Sequence, residues 1–82
     1  MLAGDLNALP ESETMQVFYR DWKESFSENA PTYPAKEPNV KIDYILFKPA
    51  NRWRVLESKV IEEKTASDHR PILSVFELLK PN

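Results

Sequence analysis

Val40-Lys41-Ile42-Asp43-Tyr44-Ile45-Leu46-Phe47 is the stretch on which the fold turns. Apolar side chains at both odd and even positions suit a strand covered on both faces, so a central place in a sheet is expected. Into that setting the sequence puts one carboxylate, Asp43. Such a group is costly unless a partner compensates it. A salt bridge to Lys41 or to a nearby Arg is open, and so is a hydrogen bond with His69. Lys41, two residues away, shares the Asp43 face, and an ion pair between them is geometrically easy. His69 is the single histidine of the chain. A carboxylate would fix the tautomer of its ring and favour the protonated form.

Outward from that strand, Met1 to Ala3 run into Gly4-Asp5 and read as the tail of a buried strand, with a loop from Leu6 to Pro10. Pro10 to Glu13 looks like the start of a helix, with Ser12 as a candidate N-cap and acids in the first turn. Met15, Phe18, Trp22 and Phe26 recur at helical spacing, which predicts a core-facing stripe. Ser27 to Asn39 holds three Pro and several polar residues, a long surface loop of a kind that is often functional. Pro49-Ala50-Asn51 supplies a turn. Trp53 to Ile61 alternates as a strand, expected antiparallel to Val40–Phe47 with its charges exposed. Glu62 to Ser67 is a polar loop and Pro71 to Leu78 a last strand. The order is β-α-loop-β-β-loop-β, an α+β fold with mainly antiparallel sheet and one principal helix.

The 82 residues bound this to one domain, near the size at which a single core is only just sufficient. An apolar fraction of 41% with nine aromatics indicates a packed globular unit rather than a disordered one. A net charge of −2 gives no global basic field, so any phosphate affinity must be local or metal-mediated. The absence of Cys excludes disulfides and thiolate metal sites and leans towards the cytosol. No signal peptide is read at the N-terminus as written, and no apolar run reaches the ~18 residues of a membrane span. With one Gly against seven Pro, turns fall to Pro, Asn, Asp and Ser, and Gly4 is the only freely permissive backbone position.

Three motifs carry candidate chemistry: Gly4-Asp5-Leu6-Asn7, Ile42-Asp43-Tyr44 and Ser67-Asp68-His69. Asp5 and Asn7, two apart beyond a strand, could take a proton from water and hold a phosphoryl oxygen; an Asx turn at the strand end is the alternative. Asp43 could orient His69. Asp68, beside His69, could ligate a hard cation or help activate water. Lys36 and Lys41 with Tyr33 and Trp53 could form a modest phosphate-and-ring surface, although Tyr33-Pro34 also suits plain loop packing.

In this order the chain resembles the C-terminal part of the endonuclease/exonuclease/phosphatase superfamily. The carrying residues are Leu2-Ala3-Gly4-Asp5-Leu6-Asn7-Ala8, Lys41-Ile42-Asp43-Tyr44-Ile45-Leu46 and Ala66-Ser67-Asp68-His69-Arg70-Pro71-Ile72, with Thr32-Tyr33-Pro34 ahead of the second. The resemblance implies the C-terminal half of a four-layer α/β sandwich, with residues 1–82 as a partial domain and the N-terminal half absent. It implies phosphoester hydrolysis by in-line attack of water, in which Asp5 orients or deprotonates the water and Asn7 assists at the phosphate. Asp43 would pair with His69, His69 would stabilise phosphoryl charge, and Asp68 would contribute to the metal region. The implied cofactor is Mg²⁺ or Mn²⁺, incompletely ligated by this chain. The family's metal-binding Glu has no counterpart by motif, since Glu11, Glu13 and Glu57 sit in unrelated contexts. Expected partners are a phosphoester substrate, nucleic acid among the options, and either the missing half or a second copy meeting an exposed sheet face. A non-catalytic, self-associating domain is the competing expectation.

Overall fold

The computed structural model describes residues 1–26 and 30–80. Its elements are β1 (Leu2–Asp5), α1 (Glu13–Tyr19), β2 (Lys23–Glu24), β3 (Asp43–Phe47), a 3-10 turn at Ala50–Arg52, β4 (Trp53–Val60) and β5 (Ile72–Leu78). They build two antiparallel sheets, one in the order β1-β3-β2 and the other a β4-β5 pair.

β3 is the central strand of its sheet, and the alternation of its side chains explains why. Tyr44 and Leu46 point to one face and form the core with Met15 of α1, all three fully buried, with Leu2, Phe18 and Trp22 packed against them. Asp43, Ile45 and Phe47 point to the other face. There the Phe47 ring meets Phe76 of β5 edge-on at 5.2 Å, and Phe76 meets Trp53 of β4 at 5.8 Å. The apolar residues on both sides of β3 are thus used, one set under a helix and one under a second sheet.

Ser12 caps α1, its Oγ accepting from the Met15 N–H at 3.2 Å, which satisfies one of the orphan donors at the first turn. The helix ends at Tyr19, so of the expected stripe only Met15 and Phe18 lie on it; Trp22 reaches the same core from the following turn. The buried Tyr44 hydroxyl donates to the Ala8 carbonyl at 2.6 Å. Burial, reinforced by the Glu24 charge, pushes its pKa up to about 12.

Four sequence expectations are corrected. First, Trp53–Ile61 does not pair with Val40–Phe47; β4 pairs with β5 from Trp53↔Leu78 to Val60↔Ile72, with a bulge between Val55 and Glu57. The place beside β3 is taken by β2, a two-residue strand that no periodicity marks. Second, the central strand starts at Asp43, and Val40 instead forms an isolated bridge with Tyr33. Third, β1 is an edge strand with Ala3, Gly4 and Asp5 exposed rather than buried. Fourth, Lys41 spends its charge on Glu24 of β2, Nζ to Oε2 2.6 Å, and only reaches the Asp43 backbone carbonyl. That buried pair, with the Tyr19 hydroxyl donating to Glu24 at 2.8 Å, fastens β2 and α1 to the strand. Of the expected Ser27–Asn39 loop, residues 27–29 lie outside the described residues. Among the described residues no helix is long and apolar enough to cross a membrane.

Gly4 has φ +145, and a Cβ built there meets nothing within 4 Å. The constraint is the backbone itself, which L side chains rarely adopt. Gly4→Ala is therefore expected to lower stability by about 1–3 kcal/mol without any steric clash. Urea unfolding of the two proteins checks this.

Candidate active site

The register of β1 on β3 sets Asp5 directly opposite Asp43. Like charges facing one another across strands repel, so a cation placed between them is stabilising. The segment before β5 supplies one. His69 Nδ1 lies 2.8 Å from Asp43 Oδ2, and His69 Nε2 lies 3.7 Å from Asp5 Oδ2. The imidazole thus bridges two carboxylates from the two strands.

The three groups differ in exposure: the Asp43 side chain is 13% accessible, His69 28% and Asp5 46%. Asp43, set back, accepts from both His69 and the Thr32 hydroxyl, the latter at 2.6 Å. A carboxylate only accepts, so the Asp43 contact places the ring proton on Nδ1 and leaves Nε2 directed to the Asp5 side. The hydrogen bond to Asp43 raises the His69 pKa above its ordinary 6.5; burial opposes it less strongly, and the charges of Asp43, Asp5 and Asp68 add smaller upward effects. The 3.7 Å separation from Asp5 is too long for a hydrogen bond, so Asp5 and the outer nitrogen keep capacity for an incoming atom.

Asn7 has φ +49, and its N–H donates to Asp5 Oδ1 at 2.7 Å. This is the Asx turn read as the alternative from sequence, and it orients Asp5 while leaving the Asn7 side chain exposed. Asp68 is exposed as well. Its backbone carbonyl accepts from the Ala35 N–H at 2.7 Å, and its carboxylate stands outside the group formed by Asp5, Asp43 and His69.

Those three residues each bring a ligand atom within 4.8 Å of the others, a group of the size that could hold a metal ion. Tested as a site for Mg²⁺, the donor set falls short. That ion demands near-octahedral oxygen coordination and keeps several waters. Here one Asp43 oxygen already takes two hydrogen bonds, Asp5 takes one, and the intervening imidazole favours a proton. As arranged, Asp43 and His69 form a hydrogen-bonded pair that Asp5 flanks, a relay of polar groups rather than a cation cage.

Beside the relay, the loops 33–37 and 64–68 enclose an open groove of about 1390 Å³. Tyr33 and Lys36 line one wall and Lys64 the other. The Tyr33 ring also lies against His69, centroids 4.8 Å apart and tilted by 49°. The four-residue contact surface read from sequence is therefore divided. Tyr33 and Lys36 are on the groove, Lys41 is buried under Phe26 and Tyr44 at 4.9 and 4.7 Å, and Trp53 belongs to β4. The 63–66 turn is held by Glu63, whose carboxylate accepts from the Thr65 and Ala66 N–H groups and is lowered in pKa by those bonds, Thr65 foremost. Thr32 is the site neighbour that residue-by-residue reading passed over, because a Thr in a Pro-rich loop carries no periodic signal.

A family model described as Endonuclease/Exonuclease/phosphatase family matches residues 1–69, a span that contains all three motifs. No curated protein and no solved structure matches the chain.

The raised pKa of His69 fixes a sign. Its ion pair contributes fully below the ordinary imidazole value of 6.5 and is lost as pH rises through the higher folded-state value. Thermal midpoints are expected to fall across that upper window in the wild-type protein. The fall is expected to vanish in His69→Gln; circular dichroism melts at a series of pH values check both.

Proposed function

The chain belongs to the endonuclease/exonuclease/phosphatase family, and from that premise we propose that it takes part in phosphoester hydrolysis through Asp5, Asn7, Asp43 and His69. The observation that carries this reading is the imidazole held at Nδ1 by Asp43 with its outer nitrogen turned to Asp5. A protonated ring in that position can donate from Nε2 to a non-bridging phosphoryl oxygen, where negative charge grows in the transition state. Asp5, the most exposed of the three, can orient the attacking water and accept its proton. The water oxygen bonds to phosphorus as the ester bond to the leaving alkoxide breaks in line with it, and the alkoxide takes a proton from solvent to become the alcohol. Asn7, next in the same turn, is a donor for the phosphate.

The cation on which the family generally depends belongs to this reading as Mg²⁺ or Mn²⁺, which would polarise the phosphoryl group. It needs oxygen ligands beyond those of the Asp5, Asp43 and His69 group, and Asp68 is the further carboxylate nearest in sequence. Nucleic acid and other phosphoesters are the substrate classes compatible with the Tyr33 and Lys36 groove wall.

A second reading, a self-associating domain without catalysis, is favoured by a different observation. The β4–β5 pair exposes Leu56 and Leu78 by 55% and 59%, and Leu73 and Val75 by 38% and 39%. Exposed apolar side chains on these two strands, with Leu73 and Val75 on the same face of β5, invite association. Light scattering is expected to show a concentration-dependent mass that Val75→Lys reduces to that of the monomer.

For the catalytic reading, His69→Ala in the full-length protein is expected to lower turnover of bis-nitrophenyl phosphate with Mg²⁺ by about 10²–10⁴-fold. Asp43→Asn is expected to lower it similarly, because the carboxylate that orients the ring and favours its protonated form is gone. Turnover unchanged by His69→Ala would overturn the assignment.

A further inference from the structure

We infer that Thr32 is a positioning residue for the Asp43–His69 pair, setting the carboxylate oxygen and the ring to one another through its hydroxyl and both its backbone groups. The inference rests on the phosphoester reading only for its effect on turnover; the geometry stands by itself. Thr32 is completely buried, a polar residue in a loop that is otherwise largely exposed. Every hydrogen-bonding group it owns is directed at the relay or at the chain beside it. Its hydroxyl donates to Asp43 Oδ2 at 2.6 Å, the same oxygen that faces His69 Nδ1 at 2.8 Å. Its carbonyl accepts from the N–H of Arg70, the neighbour of His69, at 2.8 Å. Its N–H donates to the carbonyl of Val40, three residues before Asp43, at 2.9 Å. One residue therefore ties together the segment that carries Asp43 and the segment that carries His69.

The consequence is chemical as well as mechanical. A carboxylate with a single donor can turn about its terminal torsion and present either oxygen. Two donors on one oxygen, one of them fixed to the backbone frame, select the oxygen and the direction from which the ring must approach. That holds the proton on Nδ1 and leaves Nε2 free for the Asp5 side. The neighbouring loop bonds keep the frame stiff: Ala35 N–H reaches the Asp68 carbonyl and Arg70 Nε reaches the Ala35 carbonyl, both at 2.7 Å.

Thr32→Val removes only the hydroxyl and keeps the shape and the backbone hydrogen bonds, whereas Thr32→Ser keeps the hydroxyl and loses a methyl group. Long-range proton–nitrogen spectra of the full-length protein read the His69 tautomer directly. At alkaline pH, where the ring is neutral, wild type and Thr32→Ser are expected to show the Nδ1–H form, and Thr32→Val a mixture with Nε2–H. Turnover of bis-nitrophenyl phosphate is expected to fall about 10-fold in Thr32→Val at unchanged KM and to return in Thr32→Ser. If Val is not accepted in the fold, Thr32→Ala, which likewise has no donor, replaces it with the same expectation. A folded Thr32→Val or Thr32→Ala protein with the wild-type tautomer signature overturns the inference. So does a Thr32→Ser protein that loses the signature, because packing rather than the hydroxyl would then be responsible. The ring signature is independent of turnover, so the catalytic reading fails separately, on His69→Ala.

Discussion

Two carboxylates stand opposite each other on neighbouring strands, and the site is organised around what that requires. Asp5 and Asp43 are register partners of β1 and β3, an arrangement that costs stability if both stay charged and alone. His69 resolves it from outside the sheet, with one nitrogen on each side. The raised pKa of the ring and its fixed tautomer follow from the same placement. An interaction that neutralises a structural conflict at the sheet edge also presents an acid to solvent in one orientation.

The placement depends on β3 being covered on both faces. Tyr44 and Leu46 lie under α1, and Ile45 and Phe47 face the β4–β5 side, so the strand carrying Asp43 is fixed along its length. The Lys41–Glu24 pair adds β2 on the far edge, buried and therefore costly to break by removing one partner. On the side of the second sheet, Ser25 and Ser74 share a hydrogen bond of 2.7 Å between their hydroxyls. β5 is thus held near β3, and the chain that leads into β5 delivers His69 to the end of β3 where Asp43 begins.

Much of the architecture was legible along the chain. The N-cap at Ser12, the central place of β3 and the final strand followed from local rules: a capping side chain, apolar residues of both parities, and a run of β-formers after Pro71. Partner choice was not legible. β4 was expected beside β3 because consecutive strands often pair, yet two residues, Lys23 and Glu24, take that edge through an ion pair formed across the fold. Lys41 likewise passed over the carboxylate two residues away: its ammonium lies 2.6 Å from Glu24, while Asp43 is engaged through Oδ2 by Thr32 and His69. Nor did sequence separate Lys36, open to the groove, from Lys41, buried between aromatic rings.

By itself the sequence determined the family, the three motifs that carry the site residues, and the strand that must lie centrally, because these depend on residue type and short spacing. Tertiary structure alone decided that Asp5 faces Asp43, that His69 from 26 residues further along stands between them, and that Thr32 joins the group. The reason is physical. Register, strand order and hydrogen-bond partners arise from competition among groups distant in the chain, and only the folded packing sets which carboxylate, which hydroxyl and which lysine are within reach.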